Sequence, residues 1–253
     1  MITRRHLGVF VCTVGVVVGL GGCAKEPAPA PGGSSEPSSS VAADSSSSET
    51  SSAEPASGGA VRYLSLGDSL TQGVGVENLE TQAFPALLAE KWRSAGCEVE
   101  LLNTGISGYT AGQVLSDEVP NIADFKPTIV TFQAGGNDIA NGVSLDEYRK
   151  NVKAVLDAAT DSGAKVIVLA QNEWYRSPDG QNYGEDQAAQ RVDFDAALIE
   201  EASAHGARFV DMRPLYKQQA DAGQWVEDGL HPTPEAYAAW ADGLAEAVPA
   251  PCR

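Results

Sequence analysis

Short apolar runs alternate with longer helical patterns over residues 61–253, and this alternation limits the possible folds more than any other feature of the sequence. The apolar runs are rich in Val, Ile and Leu and lie at residues 61–66, 99–102, 128–132, 165–170 and 207–210. Strands that alternate with helices pair in parallel through right-handed crossovers. The pattern therefore predicts an α/β domain, a three-layer α/β/α sandwich around a parallel sheet of about five strands.

The clearest helical pattern is predicted to start at Ser144, where Ser144 and Glu147 have the spacing of a capping box. Apolar residues then repeat at helical spacing until Gly163, a residue type that commonly ends helices. A second helix is predicted from about residue 187 to residue 205, with Gly206 after it.

The first 23 residues have the features of an export signal. Arg4 and Arg5 precede a mostly apolar stretch over residues 7–20, which is short for a membrane span and suits a signal core. The stretch ends in Leu20-Gly21-Gly22-Cys23, which resembles a bacterial lipobox. The resemblance implies a lipoprotein with Cys23 lipidated, held at the extracytoplasmic face of the membrane by this anchor alone. An ordinary signal peptide is the alternative, and Sec and twin-arginine export both stay open.

Residues 24–60 form a linker rich in Ser, Ala and Pro that contains no aromatic residue. Such a segment buries too little apolar surface to offset its ordering entropy, so we predict disorder. A mobile spacer after a lipidated cysteine is consistent with a domain, residues 61–253, that is held just off a membrane.

The charge balance bears on the partners of the protein. With 17 Lys+Arg against 34 Asp+Glu, the formal net charge is −17, which argues against a nucleic-acid partner. No apolar run approaches the roughly 20 residues needed to span a bilayer. The sequence therefore predicts neither a nucleic-acid partner nor a membrane-spanning bundle, and a monomer is the default state.

Polar, glycine-rich segments follow three of the predicted strands, and a fourth lies near the C-terminus. They are Gly67-Asp68-Ser69-Leu70, Asn103-Thr104-Gly105-Ile106-Ser107-Gly108, Gly135-Gly136-Asn137-Asp138 and Asp228-Gly229-Leu230-His231-Pro232. Ligands of open parallel sheets bind at the carboxyl ends of the strands. These segments are therefore the candidates for a functional site.

Together the four segments contain the groups that acyl transfer needs. Ser69 requires a base, and His231 is the best of three histidines, because His6 lies in the signal and His205 ends a predicted helix. Asp228, three residues earlier, is placed to orient His231 as in a catalytic triad. The Ser69 and Gly105 N–H groups and the Asn137 amide are candidate donors to an oxyanion.

In this order, the four segments resemble the conserved blocks of the SGNH (GDSL) hydrolase family. The resemblance implies a flavodoxin-like sandwich that hydrolyses carboxylic esters without a metal or cofactor. It places Ser69 as nucleophile, Asp228 and His231 as its triad partners, and Ser69, Gly105 and Asn137 in the oxyanion hole. Within such hydrolases, short-chain or acylated-glycan esters, lysophospholipids and thioesters all remain possible substrates.

Each motif also has a purely structural interpretation. Ser69 is able to cap a helix, Asn137-Asp138 to form a turn, and the segment from Asp228 to His231 to precede a helix at Pro234. The alternative from another class of protein is a surface binding module that keeps the fold without turnover. Asp68 we assign to structural hydrogen bonding.

Two further sets of residues complete the prediction. The aromatic segment over residues 172–183 suggests a substrate wall that includes Trp174 and Tyr175, with Tyr109 as a further candidate. Cys97 and Cys252 remain after export and form a possible disulfide, since such bridges persist outside the cytoplasm. We predict no metal site, because no cluster of His, Cys and acidic residues has ligand spacing.

Overall fold

The computed structural model describes residues 59–184 and 186–252 of the chain. The predicted export signal, with Cys23, and the predicted linker up to residue 58 lie outside the described residues. They stay predictions.

The strands form one parallel sheet in the order β2-β1-β3-β4-β5. They are β1 (Val61–Gly67), β2 (Val99–Asn103), β3 (Ile129–Gln133), β4 (Lys165–Leu169) and β5 (Arg208–Val210). The sheet prediction is confirmed, and each strand starts and ends within one residue of its predicted bounds. This strand order is that of flavodoxin-like folds, which bind ligands at the point where the order reverses.

Helices connect the strands, and several of them are short. The α-helices are α1 (Ser69–Gln72), α2 (Leu79–Gln82), α3 (Phe84–Ser94), α4 (Ala111–Gln113), α5 (Asn121–Phe125), α6 (Gly136–Ala140), α7 (Leu145–Asp161), α8 (Gln187–Ala204), α9 (Arg213–Asp221) and α10 (Pro234–Ala247). A π-helix follows α4 (Val114–Glu118), and two 3₁₀ turns follow β4 (Trp174–Arg176 and Gly180–Tyr183).

Side chains alternate between the two faces of the sheet, and each face has its own apolar core. Tyr63 lies in a core with side chains of α3, α9 and α10, among them Trp92 and Trp240. Leu64, the next residue, lies in a second core with side chains of α4, α5, α7 and α8. Because successive residues of a strand point to opposite faces, this alternation produces the predicted three layers.

The two long predicted helices have the expected ends. Ser144 Oγ accepts a hydrogen bond from Glu147 N (3.2 Å) at the start of α7. Gly163 and Gly206, with φ of 82° and 64°, follow α7 and α8 in the left-handed conformation that glycine adopts readily.

A disulfide joins Cys97 to Cys252, with a Cα–Cα distance of 5.5 Å. Cys97 lies two residues before β2, so the bridge ties the C-terminal segment to the amino ends of the strands. This is the end of the sheet opposite to the polar loops.

In the part of the chain that the structure describes, every helix is too short or too polar to span a membrane. Nor does that part of the chain hold a group of three or more His, Cys, Asp or Glu side chains arranged to bind a metal ion.

Candidate active site

Ser69 is the first residue of α1, directly after β1. The Asp68 side chain caps this helix by accepting a hydrogen bond from Leu70 N (3.0 Å). Gly67 lets the turn pack tightly, since a Cβ there would lie 2.3 Å from Thr71 Oγ1 and 2.4 Å from Gln133 O. The strand-to-helix turn therefore presents Ser69 at the carboxyl edge of the sheet, where it is 9% exposed.

His231 and Asp228 are paired within one tight loop. His231 Nδ1 lies 2.6 Å from Asp228 Oδ2. Asp228 Oδ1 also accepts backbone hydrogen bonds from Leu230 N (2.8 Å) and His231 N (2.9 Å). The loop is closed by a hydrogen bond from Val226 N to His231 O (2.9 Å). The imidazole is therefore held through one nitrogen and leaves Nε2 for other chemistry.

These contacts also set the ionisation of Asp228. Partial burial raises the pKa of its carboxyl, but the hydrogen bonds from His231 and Leu230 outweigh that effect, so the pKa lies below its ordinary value. The carboxylate thus stays charged beside the imidazole over a wide pH range.

Ser69 and His231 line a common cleft, which measures about 430 Å³ when the solvent in its open mouth is included. The other residues around it come from the ends of β1, β3 and β4 and from the His231 loop: Asp68, Leu70, Gly136, Asn137, Ala140, Gln171, Asn172, Trp174, Tyr183 and Leu230. The structure thus brings Ser69, Asn137 and His231 together from three distant parts of the sequence.

Asn137 is held in this cleft by the loop after β2. Its Nδ2 donates one hydrogen bond to Tyr109 O (2.9 Å), which leaves the second amide hydrogen for a ligand. The preceding Gly136 allows close packing, since a Cβ there would lie 3.0 Å from Trp174 Nε1.

The structure places Gly105 differently from the prediction. Its N–H donates to Asn103 Oδ1 (3.1 Å), and a Cβ there would lie 2.5 Å from Gln72 N. Gly105 therefore packs against the end of α1, and it is not among the described residues that line the cleft. We correct its role from oxyanion donor to close packing.

Gly108, in the same loop, is the better candidate. It has φ of +86° and precedes Tyr109, whose carbonyl binds Asn137. Within the described part of the chain, the Gly108 N–H donates to no protein acceptor. Sequence reasoning missed it because Gly105 and Gly108 occur in one segment and the letters do not show which N–H is free.

The aromatic wall differs in part from the prediction. Trp174 lines the cleft, as does Tyr183, which is 48% exposed. Tyr175 instead packs edge-on against Trp174 and lies 5.9 Å below the Arg191 guanidinium. The Tyr109 hydroxyl donates to Asp117 (2.9 Å) and does not line the cleft as the structure describes it.

With this geometry established, comparison with known proteins gives the family. A sequence profile of the GDSL-like lipase/acylhydrolase family matches residues 65–239, well over half of the chain. The chain belongs to this family. As a GDSL hydrolase it is a serine-dependent carboxylic ester hydrolase, and the prediction made from the four motifs is confirmed at this level.

Individual relatives agree with the assignment. An arylesterase of Vibrio mimicus is 30% identical over 184 residues, which are 72% of this chain and 84% of the arylesterase. Esterase TesA of Pseudomonas aeruginosa is 30% identical over 110 residues, which are 44% of this chain and 54% of that esterase. A crystal structure of TesA has the same fold, with a TM-score of 0.64 at 24% identity over 76% of this chain and 99% of the other.

Three buried carboxyl groups connect the loops of the GDSL site. Asp68 Oδ2 accepts from Gln171 Nε2 (3.2 Å), which links the turn after β1 to the end of β4. Glu118 accepts from Gly67 N (2.9 Å) and Thr104 Oγ1 (3.0 Å), and Asp138 accepts from Ala111 N (2.9 Å). The assignment of Asp68 to structural hydrogen bonding agrees with these contacts. Sequence reasoning missed Glu118, because this residue lies in the π-helix, away from the four motifs.

Burial dominates the ionisation of these three groups. Loss of solvation raises the pKa of Asp68 to about 7, of Glu118 to about 8 and of Asp138 to about 6, although hydrogen bonds from backbone N–H groups oppose each shift. Carboxyl groups of this kind are partly protonated near neutral pH. They therefore connect the loops with less negative charge than three fully ionised carboxylates would carry.

Proposed function

We propose that this GDSL hydrolase cleaves carboxylic esters through a catalytic triad of Ser69, His231 and Asp228. The observation that carries the proposal is the 2.6 Å contact between His231 Nδ1 and Asp228 Oδ2 in a cleft that His231 shares with Ser69. This contact favours the tautomer with the proton on Nδ1, so that Nε2 is free to accept a proton.

With the proton on Nδ1, His231 is able to act as the base through Nε2. Ser69 Oγ attacks the ester carbonyl while His231 Nε2 takes its proton, and the imidazolium is stabilised by Asp228. His231 then protonates the leaving alcohol, and an acyl-enzyme remains on Ser69. Water attacks this acyl-enzyme by the same route, which releases the acid and restores Ser69.

The tetrahedral intermediate needs donors for its oxyanion. We propose the N–H groups of Ser69 and Gly108 together with Asn137 Nδ2. Support comes from the hydrogen bond that joins Asn137 to Tyr109 O, the residue after Gly108, and from the position of Asn137 beside Ser69 in the cleft. Donors fixed before the reaction stabilise the developing charge without reorganisation.

For the substrate, we propose small esters with short acyl groups, or acylated glycans. Support comes from the cleft wall, which includes the aromatic ring of Trp174 and only a few apolar side chains, among them Leu70, Ala140 and Leu230. The similarity to an arylesterase makes aryl esters suitable test substrates.

For the location, we propose that the enzyme is exported and attached to the bacterial membrane by lipid on Cys23, with the catalytic domain outside the cytoplasm. The lipobox-like sequence and the Ser-rich linker support this proposal. So does the disulfide between Cys97 and Cys252, since such bridges persist in oxidising compartments. Replacement Cys23→Ser should release the protein from the membrane fraction, and retention there would contradict the anchor.

Initial rates on p-nitrophenyl esters from acetate to dodecanoate test the proposed function. The purified full chain should hydrolyse the short esters fastest, and Ser69→Ala should lower kcat at least a thousandfold with an unchanged circular dichroism spectrum. The control Ser203→Ala, at an exposed serine of α8, should keep the wild-type rate. Undiminished turnover by Ser69→Ala would overturn the triad, and fastest turnover of dodecanoate would overturn the short-acyl assignment.

A further inference from the structure

The cleft contains a buried amide that has no partner among the residues that the structure describes. Asn172, shortly after β4, is 0% exposed, yet it lines the cleft beside Ser69. Neither its Oδ1 nor its Nδ2 forms a hydrogen bond within the described part of the chain. Trp174 Nε1, in the same cleft, is a second buried donor without a partner there. The great majority of buried polar groups in proteins are hydrogen-bonded, so unpaired groups on two residues that line one cleft indicate a ligand.

Hydrogen bonds hold the backbone that leads to Asn172, and complete burial of the side chain restricts its rotation. Gln133 Nε2 donates to Ala170 O (2.8 Å), and the buried Arg191 donates to Gln171 O (2.5 Å). Gln171 in turn donates to Asp68. A polar group held by such surroundings is preorganised for binding.

The three free groups define the ligand chemistry. An amide offers two donors and one acceptor oxygen, and the indole adds one more donor. An ether, hydroxyl or carbonyl oxygen of the substrate is able to accept these donors, whereas a plain alkyl group would leave them desolvated and unpaired. Sites built to hydrogen-bond a substrate reject analogues that lack the bonding group far more strongly than apolar pockets reject an isostere.

We propose that Asn172, with the indole N–H of Trp174, determines specificity by binding an oxygen atom of the substrate close to the scissile ester. The inference rests on the proposed ester hydrolysis and deepens it. The preferred substrates are esters whose acyl or alcohol part carries such an oxygen, a class that includes esters of sugars and other polyols. Plain alkyl esters of equal length are the disfavoured class.

Two pairs of isosteric esters test the proposal on the full chain. The acyl pair is p-nitrophenyl methoxyacetate and p-nitrophenyl butyrate, and the alcohol pair is 2-methoxyethyl acetate and butyl acetate. In each pair one CH₂ is replaced by oxygen. Intrinsic reactivity differs within a pair, but it cancels when each variant is compared with the wild type. The quantity measured is the ratio of kcat/KM for the ether ester to that for the alkyl ester.

The substitution Asn172→Leu should lower this ratio at least tenfold in one pair, and the pair affected shows whether the oxygen belongs to the acyl or the alcohol part. Trp174→Phe, which removes the N–H and keeps a large ring, should lower the same ratio about threefold or more. The matched control is Trp240→Phe. Its indole N–H is also buried and has no partner among the described residues, but it lies in the other core, so the ratio for this variant should equal that of the wild type.

The kcat/KM ratio is compared in whichever of Asn172→Leu and Trp174→Phe is folded. If the ratio equals that of the wild type in both ester pairs, the role of Asn172 and Trp174 is overturned, while ester hydrolysis stands. Failure of the wild type to hydrolyse any of the four esters, with no difference from Ser69→Ala, instead overturns the proposed function, and the inference falls with it.

Discussion

The substitution Asp228→Asn isolates what the carboxylate contributes to the proposed triad. Asn keeps an Oδ1 acceptor, so the hydrogen bonds from Leu230 N (2.8 Å) and His231 N (2.9 Å) survive. The contact at Oδ2 changes, because an NH₂ group there donates to His231 Nδ1 and moves the imidazole proton to Nε2. His231 then has no lone pair towards Ser69.

The position of the imidazole proton determines how much activity Asp228→Asn loses. With the wrong tautomer, we expect kcat to fall by about 10⁴-fold, which corresponds to about 5 kcal/mol of transition-state stabilisation. The free energy of unfolding should fall by at most about 1 kcal/mol, because both backbone bonds remain and only the charged contact to His231 is weakened. Asp228→Ala removes all three hydrogen bonds, so it should lose a similar amount of activity and, in addition, about 1–2 kcal/mol of stability.

The assay combines kcat on p-nitrophenyl acetate with urea unfolding followed by circular dichroism. A matched control is Asp157→Asn, since Asp157 Oδ1 lies 2.9 Å from His205 Nε2 in the only other Asp–His side-chain pair of the described residues. That variant should keep the wild-type kcat. If Asp228→Asn kept more than a tenth of the wild-type kcat, the reasoning about the tautomer would be refuted.

Three further predictions concern the oxyanion, the buried carboxyls and the disulfide. Asn137→Ala should lower kcat on p-nitrophenyl acetate by about 10²–10³-fold with little change in KM, and a full wild-type kcat would contradict its role. Because burial raises the pKa of Glu118 to about 8, the native state binds this proton more tightly than the unfolded state, so its contribution to stability falls as pH rises from about 4 to 8. We therefore expect the unfolding free energy of Glu118→Gln to rise relative to that of the wild type by at least about 1 kcal/mol between pH 5 and pH 8, as measured by urea unfolding. If the difference between the two proteins were the same at both pH values, the prediction would be wrong. The double variant Cys97→Ser/Cys252→Ser opens a loop with a sequence separation of 155, so it should lose about 5 kcal/mol of stability by loop entropy. While folded it should keep its kcat/KM, since the bridge lies at the far end of the sheet from the cleft. An unchanged urea midpoint would contradict the prediction.

The fold was predictable because strands that are buried on both faces have continuous apolar sequences. Each strand of a parallel sheet is covered by helices, so it reads as a short apolar run, as residues 61–66 do. The long helix α7 was predictable for a similar reason, because its apolar residues repeat at helical spacing on the side that faces the sheet. Short helices are too short to show a periodic pattern. Examples are α1 at Ser69–Gln72 and the π-helix at Val114–Glu118.

The candidate site was predictable where chemistry demands a residue type, and less so where backbone geometry decides. Ser69, Asn137 and His231 belong to motifs, and the structure brings them to one cleft. The choice between Gly105 and Gly108 depends on which N–H the loop uses internally, and this is a property of folded geometry.

Side-chain direction limited the prediction of the wall in the same way. Tyr175 and Tyr183 both follow β4, but the 3₁₀ turns direct only Tyr183 to the cleft in the described structure. Composition and spacing do not encode the direction of a side chain within an irregular loop. The same holds for Asn172, whose free amide becomes visible only when its surroundings are known.

Covalent trapping of the serine tests whether Ser69 is a nucleophile that His231 activates. A p-nitrophenyl alkylphosphonate forms a stable adduct with an activated serine and releases one p-nitrophenolate per event. We expect one equivalent to be released, with the added mass on the peptide that contains Ser69, and labelling at least a thousandfold slower in His231→Ala. Inactivation with the adduct on another residue, or equal labelling rates with and without His231, would rule out this role of Ser69.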